Sequence, residues 1–334
     1  MEIRMRYRLI TNNLLRLKNY QPILYKFMQF RRPEAFVVFL SLLSMTAVCQ
    51  SLKPGLTGMA PSKWLTLRTT HAPGKVYRFP GAGTKTYTNE EMFVRAWVPL
   101  LHKDKVTILL GPNYRTEQLE LKSVGENPVS SMQGWNLRTF GLDLNSIVRL
   151  DTTSFLILTS HINKSGNFAV LSSSQIPLNY TVSASFLKKK SANKEIGAGL
   201  IVNKSFKLTV LPVLIFNYNF SENEGVEIML PKKVAWRHNL SASDILYVKA
   251  ESVTRTYYIN KLADASPEVC RRVDIDMGIS YNRKLGHYAG FEMFGGYRKN
   301  ISSKLIEGAM PVRTSGLAAT IELYVQPPRF NRKK

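Results

Sequence analysis

The chain has 334 residues, 44% of them hydrophobic, and its 46 Lys and Arg against 23 Asp and Glu give a formal net charge of +23. A mean hydropathy of -0.13 is too polar for a bundle of membrane helices, and beyond residue 50 no stretch supplies the roughly 20 consecutive apolar residues of a spanning helix. So basic a composition points first to nucleic acid, but the excess is dispersed and belongs to an exported chain, which favours anionic head groups or small ionic solutes as partners and excludes nucleic acid.

Export is read from the start of the chain. Arg31 and Arg32 precede an apolar run from Ala35 to Met45, and Ala47-Val48-Cys49 follows before Gln50. A basic flank, a short apolar core and small residues before a cut form a secretory signal, with cleavage expected after Cys49. Residues 1–49 are therefore assigned as leader and signal, with Met28 as an alternative start. They hold +6 of the charge, so +17 stays with the mature chain. Removal of Cys49 leaves Cys270 alone, so no internal disulfide staples the fold.

Residues 50–87 are rich in Pro, Gly and Thr and hold one expected strand, Lys63 to His71. From residue 88 to 330, strand follows strand: Glu91 to Leu101, Lys105 to Lys122, Gly134 to Asn145, Thr152 to Ile162, Leu178 to Leu187, Glu195 to Asn203, Phe206 to Tyr218, Val226 to Arg237, Ser243 to Tyr258, Val269 to Arg283, Gly286 to Lys299 and Gly316 to Gln326. Residues 331–334 form a basic tail. The pattern is alternation. In the last strand Leu317, Ala319, Ile321, Leu323 and Val325 alternate with Ala318, Thr320, Glu322, Tyr324 and Gln326, and Val273, Ile275 and Met277 alternate with Arg272, Asp274 and Asp276.

Alternation by itself also fits a soluble sandwich or a lipocalin-like barrel. Length separates the readings, because soluble strands run to roughly 5 or 6 residues whereas membrane strands need roughly 9 to 11. The fold class expected is all-β, an antiparallel up-and-down transmembrane β-barrel with apolar residues toward lipid and charged residues toward the lumen. Short connections (His102 to Lys105, Asp151-Thr152, Arg283 to Gly286) alternate with long ones (Ser123 to Gln133, Asn163 to Pro177, Asn260 to Glu268, Asn300 to Ser315), except between Leu178 and Tyr258. Removing one strand there and adding Lys63 to His71 gives about 12, an even number as single-chain bacterial barrels have. Aromatic residues near strand ends (Trp97, Trp135, Tyr180, Tyr218, Trp236, Tyr257, Tyr258, Tyr281, Tyr297, Phe330) suit interfacial girdles.

Parity along the last four strands turns Lys249, Glu251, Arg255, Arg272, Asp274, Asp276, Glu292, Arg298 and Glu322 inward, a charged cluster of alternating sign. Such a cluster either selects ionic solutes or fills the barrel with mutually paired charge. No metal or cofactor site is expected: His71, His102, His161, His238 and His287 never reach metal-ligand spacing, and the glycines of Gly81 to Lys85 precede no helix pattern. The nearest nucleophilic arrangement is His161 with Ser172 to Ser174, too weak to assign catalysis. Six Asn-x-Ser/Thr triplets, at Asn163, Asn179, Asn203, Asn219, Asn239 and Asn300, are read as turn chemistry.

The segments Arg95 to Tyr114, Val210 to Phe220 and Glu227 to Glu251, with Pro99 ending a strand before a charged turn and a Leu-Pro-Lys-Lys kink at Leu230 to Lys233, resemble an uncharacterised family of exported bacterial β-barrel proteins known as a domain of unknown function. The resemblance implies an outer-membrane location and supplies no catalytic residues. Phe330 resembles the terminal aromatic that barrel-assembly machinery reads, although four residues follow it. The expected role is a narrow or occluded channel or a binding barrel among outer-membrane lipids, and the alternative is a lipid-modifying enzyme, a hydrolase or acyltransferase.

Overall fold

Two-residue alternation with unlike faces becomes a single antiparallel sheet that closes on itself. The computed structural model describes residues 63–79, 83–121, 136–167, 176–205, 207–259, 268–304 and 314–326. In chain order the strands are β1 (Leu65–Phe79), β2 (Gly83–Ala96), β3 (Val98–His102), β4 (Val106–Leu121), β5 (Asn136–Arg149), β6 (Ser154–Gly166), β7 (Leu178–Lys189) and β8 (Lys194–Lys204), then β9 (Leu208–Asn219), β10 (Glu224–Leu230), β11 (Lys233–Asn239), β12 (Asp244–Ile259), β13 (Glu268–Leu285), β14 (Ala289–Lys304) and β15 (Thr314–Val325). Each strand pairs with the next except β2 with β3, β15 pairs with β1, and β2 pairs with β4 to close the ring. β2 and β3 are one wall strand interrupted at Trp97, both lying on β4, so the barrel has 14 wall strands.

The two strands beyond the expected 12 have identifiable origins. Val226 to Arg237, read as one kinked strand, is a hairpin: β10 and β11 pair from Glu224↔His238 to Met229↔Lys233, with Pro231 and Lys232 between them. The irregular alternation there called for one strand more, not one fewer. The wall also starts upstream of residue 88, with Leu65–Phe79 and Gly83–Ala96 both inside the ring.

At one end of the barrel the connections are tight and repeat one chemistry. Ser221 Oγ accepts from the backbone N–H groups of Asn223 and Glu224, and Ser241 Oγ accepts from those of Ser243 and Asp244. Asp151 plays the same part for Thr153 and Ser154. These are local side-chain caps of the hairpin turns. The N–H groups they turn toward the Asp151 carboxyl pull it down to about 2.

The wall faces are reversed relative to a soluble barrel. Val182, Phe186, Leu200, Val210, Leu214, Ile279, Leu317 and Ile321 are exposed, whereas Glu91, Glu117, Glu195, Arg237, Asp274, Ser280 and Arg298 are buried. Exposed apolar side chains on every part of a closed ring, around a polar interior, are the distribution of a transmembrane β-barrel. Tyr180, Tyr218, Trp236 and Tyr297 are on the exposed face, as a girdle requires, but Trp97, Tyr257 and Tyr258 are buried inside. Trp97 turns inward because Gly111 leaves room: a Cβ there would sit 2.8 Å from the indole ring. Trp135 and Phe330 lie outside the described residues.

The interior has two halves. Between β5 and β10, at the tight-turn end, it holds an apolar cluster, in which Phe155, Leu187, Val213 and Ile215 pack with Ile147, Ile157, Ile201 and Met229, beside the buried Glu195 that Asn217 bonds. Around β12 to β15 and β1 to β4 it is charged.

Candidate functional site

The charged half is assembled by parity. Of the charges that parity turns inward on β12 to β15, Lys249, Glu251, Arg255, Asp276, Glu292, Arg298 and Glu322 line one luminal cavity of about 400 Å³. Arg272 and Asp274 are buried beside it. The same cavity is lined from the opposite wall by Arg68 of β1, by Glu91 and Arg95 of β2 and by Arg115 of β4. These four and Glu117 were legible by the same parity argument extended to Lys63–His71, Glu91–Leu101 and Lys105–Lys122.

The geometry is a clasp across the lumen. β12 and β2 are separated in the wall by β13, β14, β15 and β1, yet Arg255 Nη2 lies 2.8 Å from Glu91 Oε1 and its Nε donates to Glu91 Oε2 at 3.2 Å. Arg115 Nε approaches the same carboxylate at 3.3 Å and Arg68 Nη2 at 3.9 Å. One strand further on, Glu117 of β4 receives Arg272 Nη2 of β13, the Tyr257 hydroxyl of β12 and Asn89 Nδ2, each at 2.6 Å. Both carboxylates are within the buried set, at 4% and 0% exposure. Two carboxylates buried this deeply in an otherwise low-dielectric interior require such partners.

Along the wall, paired charges complete the network. Arg298 holds Asp276 with two bonds of 2.6 and 2.7 Å, a planar bidentate match. Glu292 receives Lys249 at 2.7 Å, Lys63 at 3.1 Å and the Ser280 hydroxyl at 2.6 Å. Lys63, which precedes β1, also reaches Glu322 at 2.5 Å. Arg272 Nε lies 2.7 Å from Asp274, whose other oxygen accepts from Asn300. Acid and base thus alternate in contact rather than presenting a field of one sign.

The remaining sequence candidates fall elsewhere. His161 faces the interior and its Nδ1 lies 2.8 Å from Asp143, which Arg95 approaches at 3.8 Å; Ser172 to Ser174 lie outside the described residues. His102 contacts Thr107 and His238 contacts Glu224, both across a strand pair. Among the described residues no three metal-ligating side chains converge. The Asn triplets divide: Asn219 and Asn239 end strands, but Asn163, Asn179, Asn203 and Asn300 sit within strands, so turn chemistry does not describe them. Asn163, Asn179 and Asn203 line a second cavity, of about 340 Å³.

Several solved structures are similar in fold. An outer membrane channel of Pseudomonas putida F1 described as COG4313 is 8% identical, with 82% of this chain and 100% of that one covered and a TM-score of 0.46. The toluene transporter TodX of Pseudomonas putida is 10% identical over 83% of this chain and 95% of its own, at a TM-score of 0.32. LpxR from Salmonella typhimurium is 10% identical over 78% and 99%, at 0.36. No curated protein matches the chain. Residues 155–308, which run from β6 to just past β14, match the family described as Domain of unknown function (DUF6268); Val210 to Phe220 and Glu227 to Glu251 lie inside that stretch and Arg95 to Tyr114 outside it.

Proposed function

We propose that this protein is an outer-membrane barrel of a Gram-negative cell, exported through a cleaved signal, whose lumen is an occluded path or binding chamber for small ionic solutes. The observation that carries the reading is the cross-lumen clasp of Arg255 on Glu91 and of Arg272 and Tyr257 on Glu117. A pore held open needs charges on its rim and water between them. Here the opposing walls are joined by direct contacts, and a solute ion passes only by replacing a partner in the network. Nearly balanced charge gives such a chamber no fixed selectivity for one sign until a pair opens.

Conductance in planar bilayers tests it. The wild-type barrel is expected to conduct little, and Glu91→Gln combined with Glu117→Gln to raise single-channel conductance several-fold. An already open, wide wild-type pore overturns the reading. A lipid hydrolysis and acyl-transfer assay on the same preparation addresses the enzymatic alternative, for which turnover abolished by His161→Ala is the required result.

A further inference from the structure

The barrel wall is incomplete on one side. β10 and β11 are 7 residues each, between β9 of 12 and β12 of 16. Pairing of β9 with β10 stops at Leu214↔Leu230, although β9 continues on β8 as far as Leu208↔Lys204. On the other flank β11 leaves β12 at Lys233↔Glu251, and a last bond from Ser252 N–H to Lys232 O closes the turn, while β12 continues on β13 to Ile259↔Glu268. Leu208 to Val213 and Val253 to Tyr257 are therefore edges facing a notch whose floor is Pro231-Lys232.

The end of β12 does not fill this notch. It crosses to β6, where Tyr258 pairs with Gly166, a contact so close that a Cβ on Gly166 would lie 2.3 Å from the Tyr258 carbonyl oxygen. The crossing leaves the 340 Å³ cavity between β12 and the inner faces of β6 to β9, bounded by the notch.

The lining of that cavity has a direction. At its outer end are the amides of Asn163, Asn179 and Asn203, with Asn179 4% exposed and its Oδ1 accepting no bond from the described residues. At its inner end Ile201 and Leu211 lead to the apolar packing of Val213 and Phe155. Four cations line it, Arg115 and Arg255, both held on Glu91 by the clasp, and Lys232 and Arg271; no Asp or Glu is among its described lining residues, whereas the first cavity has five acids. Outside, the edge of the notch is Leu208 and Val210, 65% and 53% exposed, continuous with the lipid-facing belt.

We propose that this side cavity binds a lipid-like amphiphile with a phosphate head group bearing hydroxyls, admitted sideways from the membrane through the notch between β9 and β12. Cations and the absence of acids suit the phosphate, the Asn179 carbonyl accepts from a hydroxyl, and the apolar inner end with the lipid-facing edge suits the chain. A freely soluble phosphate would gain nothing from the apolar end or from an opening toward lipid.

Native mass spectrometry of the full chain from neutral detergent tests this with three probes: myristoyl lysophosphatidylglycerol, the zwitterionic lysophosphatidylcholine of the same chain, and glycerol 3-phosphate. Saturable binding of the first, at least ten-fold tighter than either of the others, is expected. Lys232→Glu should weaken it ten-fold or more, and Thr209→Trp, which fills the notch without altering charge, should do likewise. Heat-modifiable gel mobility identifies folded variants, and the Thr209→Trp result stands even if Lys232→Glu fails to fold. Equal binding of the two lysolipids, glycerol 3-phosphate binding as tightly as lysophosphatidylglycerol, or folded Thr209→Trp binding as wild type overturns the proposal. Lys232 lines both cavities whereas Thr209 lines only this one, so Thr209→Trp is the variant that separates this proposal from conductance through the charged lumen.

Discussion

Replacing Glu91 by Gln preserves the shape of the clasp and removes its charge. Arg255, Arg115 and Arg68, at 2.8, 3.3 and 3.9 Å from that carboxylate, are then left facing one another. At an effective dielectric of about 20, two unit charges 4 Å apart interact by about 4 kcal/mol, and removing one partner of a buried pair costs roughly 3–5 kcal/mol because the other charge is stranded. Glu91→Gln is expected to fall in that range, since the carboxylate is 4% exposed and water cannot take over. Arg255→Gln leaves Arg115 and Arg68 on Glu91 and should cost less. In the double variant the stranded arginine is absent, so its cost should fall short of the sum by roughly 1–3 kcal/mol. Urea unfolding in lipid vesicles, followed by tryptophan fluorescence, measures the cycle. Additivity within about 0.5 kcal/mol would show that the two groups do not interact and would refute the clasp.

Other outcomes follow from single residues. Ile279, 55% exposed on the wall's outer face, should tolerate Arg only at a cost of roughly 2–4 kcal/mol if it lies near the bilayer centre, while Asp274→Asn assembles. A single cysteine at position 279 in a Cys270→Ser background should react with a lipid-soluble reagent and one at position 274 should not; the reverse pattern would make the exposed face a protein core. Gly111→Val should drive a side chain into Trp97 and lower the unfolding midpoint without changing conductance sign or size, provided the indole stays inside. Asp151 titrates near 2 because Thr153 and Ser154 donate to it, so the support it gives its turn is complete above about 4 and is lost as pH falls toward 2; the Thr153 amide shift is the probe, and a midpoint near 4 would contradict the bonding.

The sequence by itself determined that the strands have two unlike faces. A strict period of two along Arg272 to Ser280 or Leu317 to Val325, sustained over membrane length, leaves two faces of opposite character, and in a closed sheet only one assignment puts the charged face where other charges neutralise it. Strand identity and the reversed faces follow from that local rule. Partnership did not. Arg255 meets Glu91, and Arg272 meets Glu117, across separations of 164 and 155 residues, and which strands oppose each other depends on how many strands close the ring. That number turned on Pro231 and Lys232, where a kink and a hairpin read alike until the register of β10 on β11 is known. The notch has the same origin: an unpaired edge is a property of the neighbour that stops short, and Leu208 to Val213 alternate like any wall strand whether or not another strand lies beside them. Period and polarity are written residue by residue, but closure, cross-lumen contact and a gap in the wall exist only once the whole sheet has formed.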